Sequence, residues 1–315
     1  MTRTALALAL LAAVTTAAAD ALPVRDLNPL LSGYEVAPAL PSIASGKNLQ
    51  VEYAISSTSL TQRSAQDSLQ LDAEMQRWQT TFSRPLTDRL SLRLELPLIS
   101  VSGGHLDHFI ESFHSTFGFP NGNRDIVPRD RLLIEHEHLN QVDYRLTQST
   151  QGIGDITLRL GHSFGANAAR ENILWLSVKL PTGNAGKLTG SGAADLALSL
   201  ASSQQWSSRW TTHEQLSITA LGHGDRLADQ QQSVAWSGLL GTEARVTTHW
   251  SAAVQIDAHS KVFDTGLRVL GNALQLSLGP RYESGAWQSS LLISEDIGVD
   301  TVPDVQFQFD IGRKF

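Results

Sequence analysis

The stretch that most constrains the fold is residues 305–315, Val-Gln-Phe-Gln-Phe-Asp-Ile-Gly-Arg-Lys-Phe. Apolar residues at 305, 307, 309 and 311 alternate with polar residues at 306, 308 and 310, the pattern of a β-strand with one apolar and one polar face. The pattern runs almost to the aromatic residue Phe315, although chain termini usually fray. We therefore expect a strand that pairs with the first strand and closes a larger sheet.

Eleven further segments alternate in the same way, which makes the expected fold all-β. A strand protein spans hydrocarbon only as a closed barrel, because every backbone N–H and C=O must be paired there. Bacterial barrels have an even number of antiparallel strands. The sequence predicts a single closed antiparallel transmembrane β-barrel of about twelve strands within residues 47–315, formed by residues 47–57, 68–84, 90–96, 155–164, 172–180, 195–206, 210–221, 234–247, 250–259, 272–282, 286–294 and 304–315.

The predicted connections alternate between short and long, as periplasmic turns and extracellular loops do, so the last strand should descend to the periplasm. The longer loops are expected near residues 58–67, 102–150, 181–194, 222–232, 260–270 and 295–303. Within residues 68–84 the apolar phase shifts by one between Met75 and Trp78, which predicts a β-bulge. Tryptophans near strand ends are expected to form an aromatic girdle, namely Trp78, Trp206, Trp210, Trp250 and Trp287.

The N-terminal region carries a targeting signal. Arg3 precedes an Ala- and Leu-rich run and the small residues Ala17–Ala19, which predicts a Sec-type signal peptide over residues 1–19, with cleavage as late as residue 21 still open. Residues 20–46 hold four prolines and no sustained alternation, so we expect an extended N-terminal arm, with the barrel mouth or lumen as its candidate location. The expected compartment is the outer membrane of a Gram-negative bacterium.

Composition narrows the partners. The formal net charge of −7 argues against nucleic acid, and the charged fraction of 17% suits a barrel that is apolar outside. The expected partners are outer-membrane lipid, the barrel-assembly machinery during biogenesis, and a small-molecule solute that the sequence does not identify. No cofactor is expected.

Residues 105–117 have helical periodicity within the excursion 102–150. Leu106, Phe109, Ile110, Phe113 and Phe117 form one apolar stripe. The helix is expected to plug the barrel, to lie on the outer leaflet as an interfacial helix, or to pack against its own loop. Its acidic and histidine residues favour the lumen or mouth. Phe109, Phe113 and Phe117 are therefore predicted plug residues.

The same helix contains weak candidates for chemistry. His108, Glu111 and His114 could supply metal ligands, but their spacing matches no defined metal motif, so a solvated polar face is the favoured interpretation and no metal site is predicted. Ser112 and Ser115 near the histidines are the local candidates for nucleophilic catalysis, and no signature supports them. No catalytic residue is predicted.

The polar faces of the predicted strands carry charges of both signs, which indicates a hydrogen-bonded interior rather than a channel selective for one sign. These lumen candidates are Arg93, Glu95, Lys179, His213, Asp257 and Asp310. The loop Gly183–Thr189 fails the phosphate-loop pattern and is expected to be a mobile extracellular loop. Asp155 is expected to be a turn or strand-start residue.

Two resemblances rest on short motifs. Phe307, Phe309, Ile311 and Phe315 resemble the C-terminal signal by which the barrel-assembly machinery recognises outer-membrane proteins, although Arg313 interrupts the apolar set. Gly103-Gly104-His105-Leu106-Asp107, Gly152-Ile153-Gly154-Asp155 and Lys179-Leu180-Pro181-Thr182-Gly183 resemble a family of uncharacterised proteobacterial outer-membrane barrels, a domain of unknown function. The last two motifs are also similar to the MetA-pathway of phenol degradation barrels, a neighbouring group linked with passage of hydrophobic or aromatic compounds.

These resemblances imply a fold and a compartment but no established reaction. The expected function is that of a passive pore or transport protein for small compounds, with hydrophobic compounds as candidates. The chain is not expected to be an enzyme. Two alternatives stay open, a barrel enzyme such as a lipid hydrolase and a soluble periplasmic β-sheet binding protein.

Overall fold

The computed structural model describes residues 20–36, 46–117, 127–167, 169–297, 303 and 305–315, without the side chains of Phe113, His114 and Phe117. The predicted signal peptide, residues 1–19, and part of the predicted arm, residues 37–45, lie outside the described residues.

Fifteen strands and one α-helix lie in the described ranges. The helix α1 is Asp107–Phe117. The strands are β1 Asn48–Arg63, β2 Asp67–Pro85, β3 Leu90–Ser102, β4 Leu133–His138, β5 Gln141–Leu146, β6 Thr150–Ile153, β7 Ile156–Phe164, β8 Arg170–Leu180, β9 Asp195–Gln205, β10 Trp210–Ala220, β11 Val234–Arg245, β12 Trp250–His259, β13 Ala273–Ser284, β14 Trp287–Asp296 and β15 Val305–Lys314.

Twelve of the described strands close into an antiparallel barrel, as predicted. The ring runs β1, β2, β3 and then β7 to β15 in order, and β15 pairs back with β1. The closing register joins Asn48 to Lys314, and the backbone N–H of Phe315 donates to the carbonyl of Lys47 at 2.8 Å. The other three strands belong to the excursion: β4 and β5 form a hairpin on β2, and β6 pairs with the upper part of β3 in line with β7. No helix among the described residues is long and apolar enough to cross a membrane.

Two predictions about the first hairpin are wrong. The expected loop at 58–67 shortens to a turn at residues 64–66, because β1 and β2 stay paired from Asn48 with Ser83 to Arg63 with Ser68. The expected bulge in β2 is absent as well, since its register with both β1 and β3 is continuous. The phase shift instead arises because the inward side chains of β2 change from apolar to polar along the strand. The inward side chains of β2 are apolar at Leu69, Leu71, Ala73 and Met75 and polar at Arg77, Gln79, Thr81 and Ser83.

The outer face of the barrel is apolar. Residues at alternate positions of every long strand are exposed and large, which is the inverse of a soluble sandwich and is what a wall in contact with lipid requires. Examples are Leu98, Leu158, Leu176, Leu198, Leu216, Ile218, Leu240, Val254, Leu291 and Phe309.

Tryptophans mark one end of this wall. Trp210, Trp250 and Trp287 are the first residues of β10, β12 and β14, Trp206 directly follows β9, and all four are exposed. Amphipathic indole rings favour the membrane interface, so these residues form the predicted girdle on the side of the short turns. Trp78 departs from the prediction. It lies within β2, where its ring packs on Tyr53 with centroids 4.5 Å apart.

The interior is packed tightly enough to require one glycine. Gly161 on β7 lies directly opposite Trp175 on β8, and Trp175 is almost fully buried inside the barrel. A Cβ at position 161 would lie 2.6 Å from the Trp175 ring. Only a residue without a side chain lets the indole fold inward here.

We therefore expect Gly161→Ala to lower the free energy of unfolding by about 1–3 kcal/mol, because overpacking a closed interior forces side chains off their rotamers. Ser163→Ala, another inward position on β7, should change it much less. Urea unfolding of the detergent-solubilised barrel, followed by heat-modifiable migration on gels, measures both. Equal urea midpoints for the two variants would contradict the claim that Trp175 packs against Gly161.

Candidate functional site

The lumen is occupied by the N-terminal segment 20–36, here called the arm. The arm contains no strand or helix residue, yet most of it is buried. Its buried apolar residues are Leu22, Val24, Leu27, Leu30, Leu31, Tyr34 and Val36. The arm enters at the end of the barrel with short turns, bends over residues 29–34, and returns toward the middle.

Side chains of the wall bind the backbone of the arm at its lower end. The amide of Gln255 on β12 accepts from the N–H of Leu22 at 2.9 Å and donates to its carbonyl at 3.1 Å. Arg281 donates to the carbonyl of Asp20, and Gln308 donates to that of Pro23. Buried backbone groups need hydrogen-bond partners, so polar residues facing the lumen replace the ladder that a strand would have.

Charged residues join the arm to the wall at mid-height. Glu95 on β3 is buried and lies 2.8 Å from each of three guanidinium groups, those of Arg25 on the arm, Arg93 on β3 and Arg159 on β7. Arg159 also lies 2.6 Å from the carboxylate of Glu35, where the arm returns. Both limbs of the arm therefore meet one buried cluster, and breaking such a cluster is costly.

Above this cluster the arm lies in an apolar core. Leu27, Leu30, Leu31 and Tyr34 pack with residues of the upper barrel wall and of the loops. The wall and loop members include Leu69, Leu71, Met75, Ile99, Val101, Leu188, Phe263, Val269 and Leu270. The upper lumen is therefore apolar along β2 and β3, and the apolar residues of the arm pack there.

The loop 181–194 is folded inward, which corrects the expectation of a mobile loop at Gly183–Thr189. Asp155 accepts from the N–H of Gly183 at 2.8 Å, from the N–H of Ser191 at 2.9 Å and from Lys179 at 2.9 Å. A Cβ at Gly190 would collide with the Asp155 carboxylate. Two of the three motifs that carried the family resemblance, Gly152–Asp155 and Lys179–Gly183, thus meet in one clasp, with Asp155 as its acceptor.

Arg226 fastens the arm to the two mouth loops, residues 181–194 and 221–233. Its guanidinium donates to the carbonyls of Ala185, Gly190 and Leu30 at 3.0, 2.6 and 3.2 Å, and it lies over the ring of Tyr34. Burial lowers the pKa of this guanidinium. The turn of the arm is thereby covered from the side of the long loops.

We expect Asp155→Ala to release loop 181–194, since charge-assisted hydrogen bonds to a buried carboxylate contribute about 1.5–3 kcal/mol each. Trypsin cleavage after Lys187 in the folded barrel should rise by about tenfold for roughly each 1.4 kcal/mol lost. Asp229→Asn, at an exposed position in the other mouth loop, should leave the cleavage rate unchanged. An unchanged rate in Asp155→Ala would contradict the clasp.

The predicted lumen residues lie inside the barrel. Arg93, Glu95 and Lys179 are buried in the contacts above, and Asp257 accepts from Gln255 at 2.9 Å. His213 and Asp310 are likewise buried and inward. Asp257 and Gln255 join the wall to Leu22, so this polar face holds the arm rather than lining an open channel.

The helix α1 lies outside the barrel wall instead of in the lumen. Its start is fixed by Glu74 on β2, which accepts from the N–H groups of His105 and Leu106 at 3.0 and 3.2 Å. Glu74 shares the outward face of β2 with exposed Trp78. The observed helix begins at Asp107, two residues later than predicted.

Phe109 is the predicted plug residue whose side chain is described, and it packs on the outer face. Its ring lies 5.9 Å from that of Phe307. Phe307 shares its side of β15 with exposed Phe309 and Ile311. An apolar helix stripe can pack on the apolar outer wall as well as in the lumen. The prediction that Phe109 plugs the lumen is therefore wrong. The side chains of Phe113 and Phe117 lie outside the described residues.

Among the described residues, no group of three or more His, Asp or Glu side chains is arranged to hold a metal ion. His108 is exposed, Glu111 pairs with Arg129, and the His114 side chain is not among those described. The hydroxyl of Ser115 donates to the carbonyl of Ser112 at 3.0 Å.

Sequence reasoning missed the residues that connect the arm to the wall. Arg25 and Glu35 lie in a proline-rich segment without periodicity, and Arg159 lies on a polar face already assigned to the lumen. A usable signal was present, because arginine at an inward position of a barrel strand needs a buried carboxylate partner.

Comparisons with known proteins agree with this architecture. The chain is similar to the COG4313 outer membrane channel from Pseudomonas putida F1, with 16% identity and a TM-score of 0.55 over 89% of this chain and 100% of that one. The toluene transporter TbuX of Ralstonia pickettii (10% identity, TM-score 0.45, 86% of this chain and 90% of that one) and the NanC porin (6%, 0.47, 85% and 100%) are more distant. No curated protein matches the chain in sequence.

A family model covers residues 6–315, almost the whole sequence, and it includes all three motifs quoted above. The chain belongs to the family described as Protein of unknown function (DUF3187).

Proposed function

We propose that this chain is an outer-membrane channel for passive passage of small compounds, and that the arm closes it. The observation that carries the proposal is a complete barrel wall whose lumen is filled by a segment outside the wall. The apolar outer face and tryptophan girdle support a location in the outer membrane. The predicted signal peptide supplies the route of export.

The arm is separable from the barrel in physical terms. Its contacts are side-chain hydrogen bonds, ion pairs and apolar packing, and none of them is part of the strand ladder. Its departure would leave all twelve strand pairings in place. Twelve strands enclose more space than eight, which side chains alone can fill.

The lining suggests which solutes pass. The apolar lining along β2 and β3 favours compounds with apolar surface, and the mixed charges below do not select for one sign. The named neighbours include a toluene transporter, and its low similarity adds nothing beyond the fold.

Liposome uptake tests the proposal. Vesicles containing the wild-type barrel or the double variant Arg25→Gln/Glu35→Gln are compared for entry of small neutral, aromatic and ionic solutes. We expect faster entry through the double variant, because the arm loses its ion pairs with Glu95 and Arg159 while the wall stays intact. Entry no faster than into empty vesicles for every solute class, with both proteins folded, would refute the channel, and equal entry above that level through both proteins would refute closure by the arm.

We also propose that Phe315, with Phe307, Phe309 and Ile311, is read by the barrel-assembly machinery. Phe315 is exposed at the membrane edge beside the short turns, and Arg313 lies 4.9 Å from its ring. Deleting Phe315 should lower the amount of assembled barrel in outer-membrane fractions severalfold, whereas Lys314→Ala should not. Unchanged abundance of the deletion variant would reject this role.

A further inference from the structure

The bend and returning limb of the arm present two chemically different groups to the lumen. Leu30, Leu31 and Tyr34 fill the apolar upper core, and the next residue, Glu35, places a buried carboxylate 2.6 Å from Arg159. This part of the arm has the character of an amphipathic acid, with an apolar body above and one carboxylate below.

The wall around that carboxylate is rich in arginine. At mid-height the wall supplies three cations, Arg77, Arg93 and Arg159, and two carboxylates, Glu52 and Glu95. The arm adds one charge of each sign, Arg25 and Glu35. An arm that leaves removes one charge of each sign, so the sum does not change, but Arg159 then loses one of its two carboxylate partners and keeps only Glu95. The vacated position beside this buried guanidinium favours an anion.

Arg77 has spare hydrogen-bonding capacity. Its Nη2 donates to Gln79 at 2.6 Å, but its Nε is buried and has no hydrogen-bond partner among the described residues. Arg77 and Met75 line a cavity of about 10 Å³ against the arm. Guanidinium N–H groups bind carboxylates well because their geometry matches, so a ligand could satisfy a group that the arm leaves unmet.

We propose that the lumen contains a binding site for an amphipathic monocarboxylate, and that the arm occupies this site in the closed state. The ligand carboxylate takes the place of Glu35 on Arg159 and also reaches Arg77. Its hydrocarbon part takes the place of Leu30, Leu31 and Tyr34 against Leu71, Met75 and Phe263. This site rests on the proposed function, since the arm must leave before the ligand enters.

Displacement of a fluorescent acid tests the site in the purified, detergent-solubilised full chain. The probe is 11-(dansylamino)undecanoate, and the competitors are dodecanoate and dodecanol, which have the same chain length but different head groups. In Glu35→Gln we expect about tenfold tighter probe binding, because the competing carboxylate is lost. We expect dodecanoate to displace the probe about tenfold better than dodecanol, and Arg77→Gln to remove much of that preference.

A second readout needs no variant. If the ligand displaces the arm, dodecanoate should speed trypsin cleavage after Arg25 in the wild-type barrel, and dodecanol should not. Equal effects of acid and alcohol in both assays would overturn the site, because they would show only partition onto the apolar wall. A barrel that becomes permeable when the arm is loosened, yet shows no preference for the acid, would retain the channel and reject this ligand class.

Discussion

Deleting residues 22–36 should convert a barrel that conducts little into one that conducts steadily. The segment fills the lumen from the lower end to the mouth, and its contacts are made by side chains rather than by the strand ladder. A twelve-stranded barrel without it should hold continuous water, so single-channel conductance should rise by about tenfold or more. Planar-bilayer recording measures the change.

The deletion also exposes apolar residues of the upper core, so folding must be checked by heat-modifiable migration. The double variant Arg25→Gln/Glu35→Gln keeps the apolar packing and should show brief, intermittent openings instead of a steady pore. A folded deletion variant with wild-type conductance would mean that the arm does not block the path.

Replacing Glu95 by alanine should produce the largest loss of stability of any single lumen substitution. The change leaves Arg25, Arg93 and Arg159 without the carboxylate that lies 2.8 Å from each of them. Removing one partner of a buried ion pair costs about 3–5 kcal/mol. The unfolding midpoint in urea should fall accordingly, while Asp229→Asn, at an exposed loop position, should leave it unchanged.

A charge-neutral variant separates electrostatics from packing. Arg93→Met/Glu95→Met removes one charge of each sign and should be more stable than Glu95→Ala, because fewer cations remain without a partner. If Glu95→Ala unfolds at the wild-type urea concentration, the cluster does not stabilise the barrel.

The wall of the barrel was predictable because each strand faces lipid on one side and the lumen on the other. Apolar and polar residues therefore alternate along the sequence of each strand. Where the interior changes character, the same rule misleads. Met75 points into the apolar upper core and Trp78 points outward to the apolar outer face. The apolar residues of β2 therefore change phase between these positions without a bulge.

The contacts between the arm and the wall could not be predicted from alternation. The backbone of Leu22 is held by Gln255, which is 233 residues away, and no local pattern encodes such a contact. For α1 the sequence predicted the element but not its location. Its periodicity predicted a helix correctly, but an apolar face does not state whether lipid-facing wall or lumen will receive it.

The central claim, that the arm lies inside the lumen, is tested most directly by cysteine accessibility, since the chain contains no cysteine. Leu30 on the arm is fully buried and Asp229 on a mouth loop is exposed. In intact outer membranes, a membrane-impermeant maleimide should label Asp229→Cys quickly and Leu30→Cys very slowly, and adding Arg25→Gln/Glu35→Gln should speed labelling of Leu30→Cys. Labelling of Leu30→Cys as fast as Asp229→Cys in the otherwise unchanged chain would place the arm outside the barrel and contradict the account.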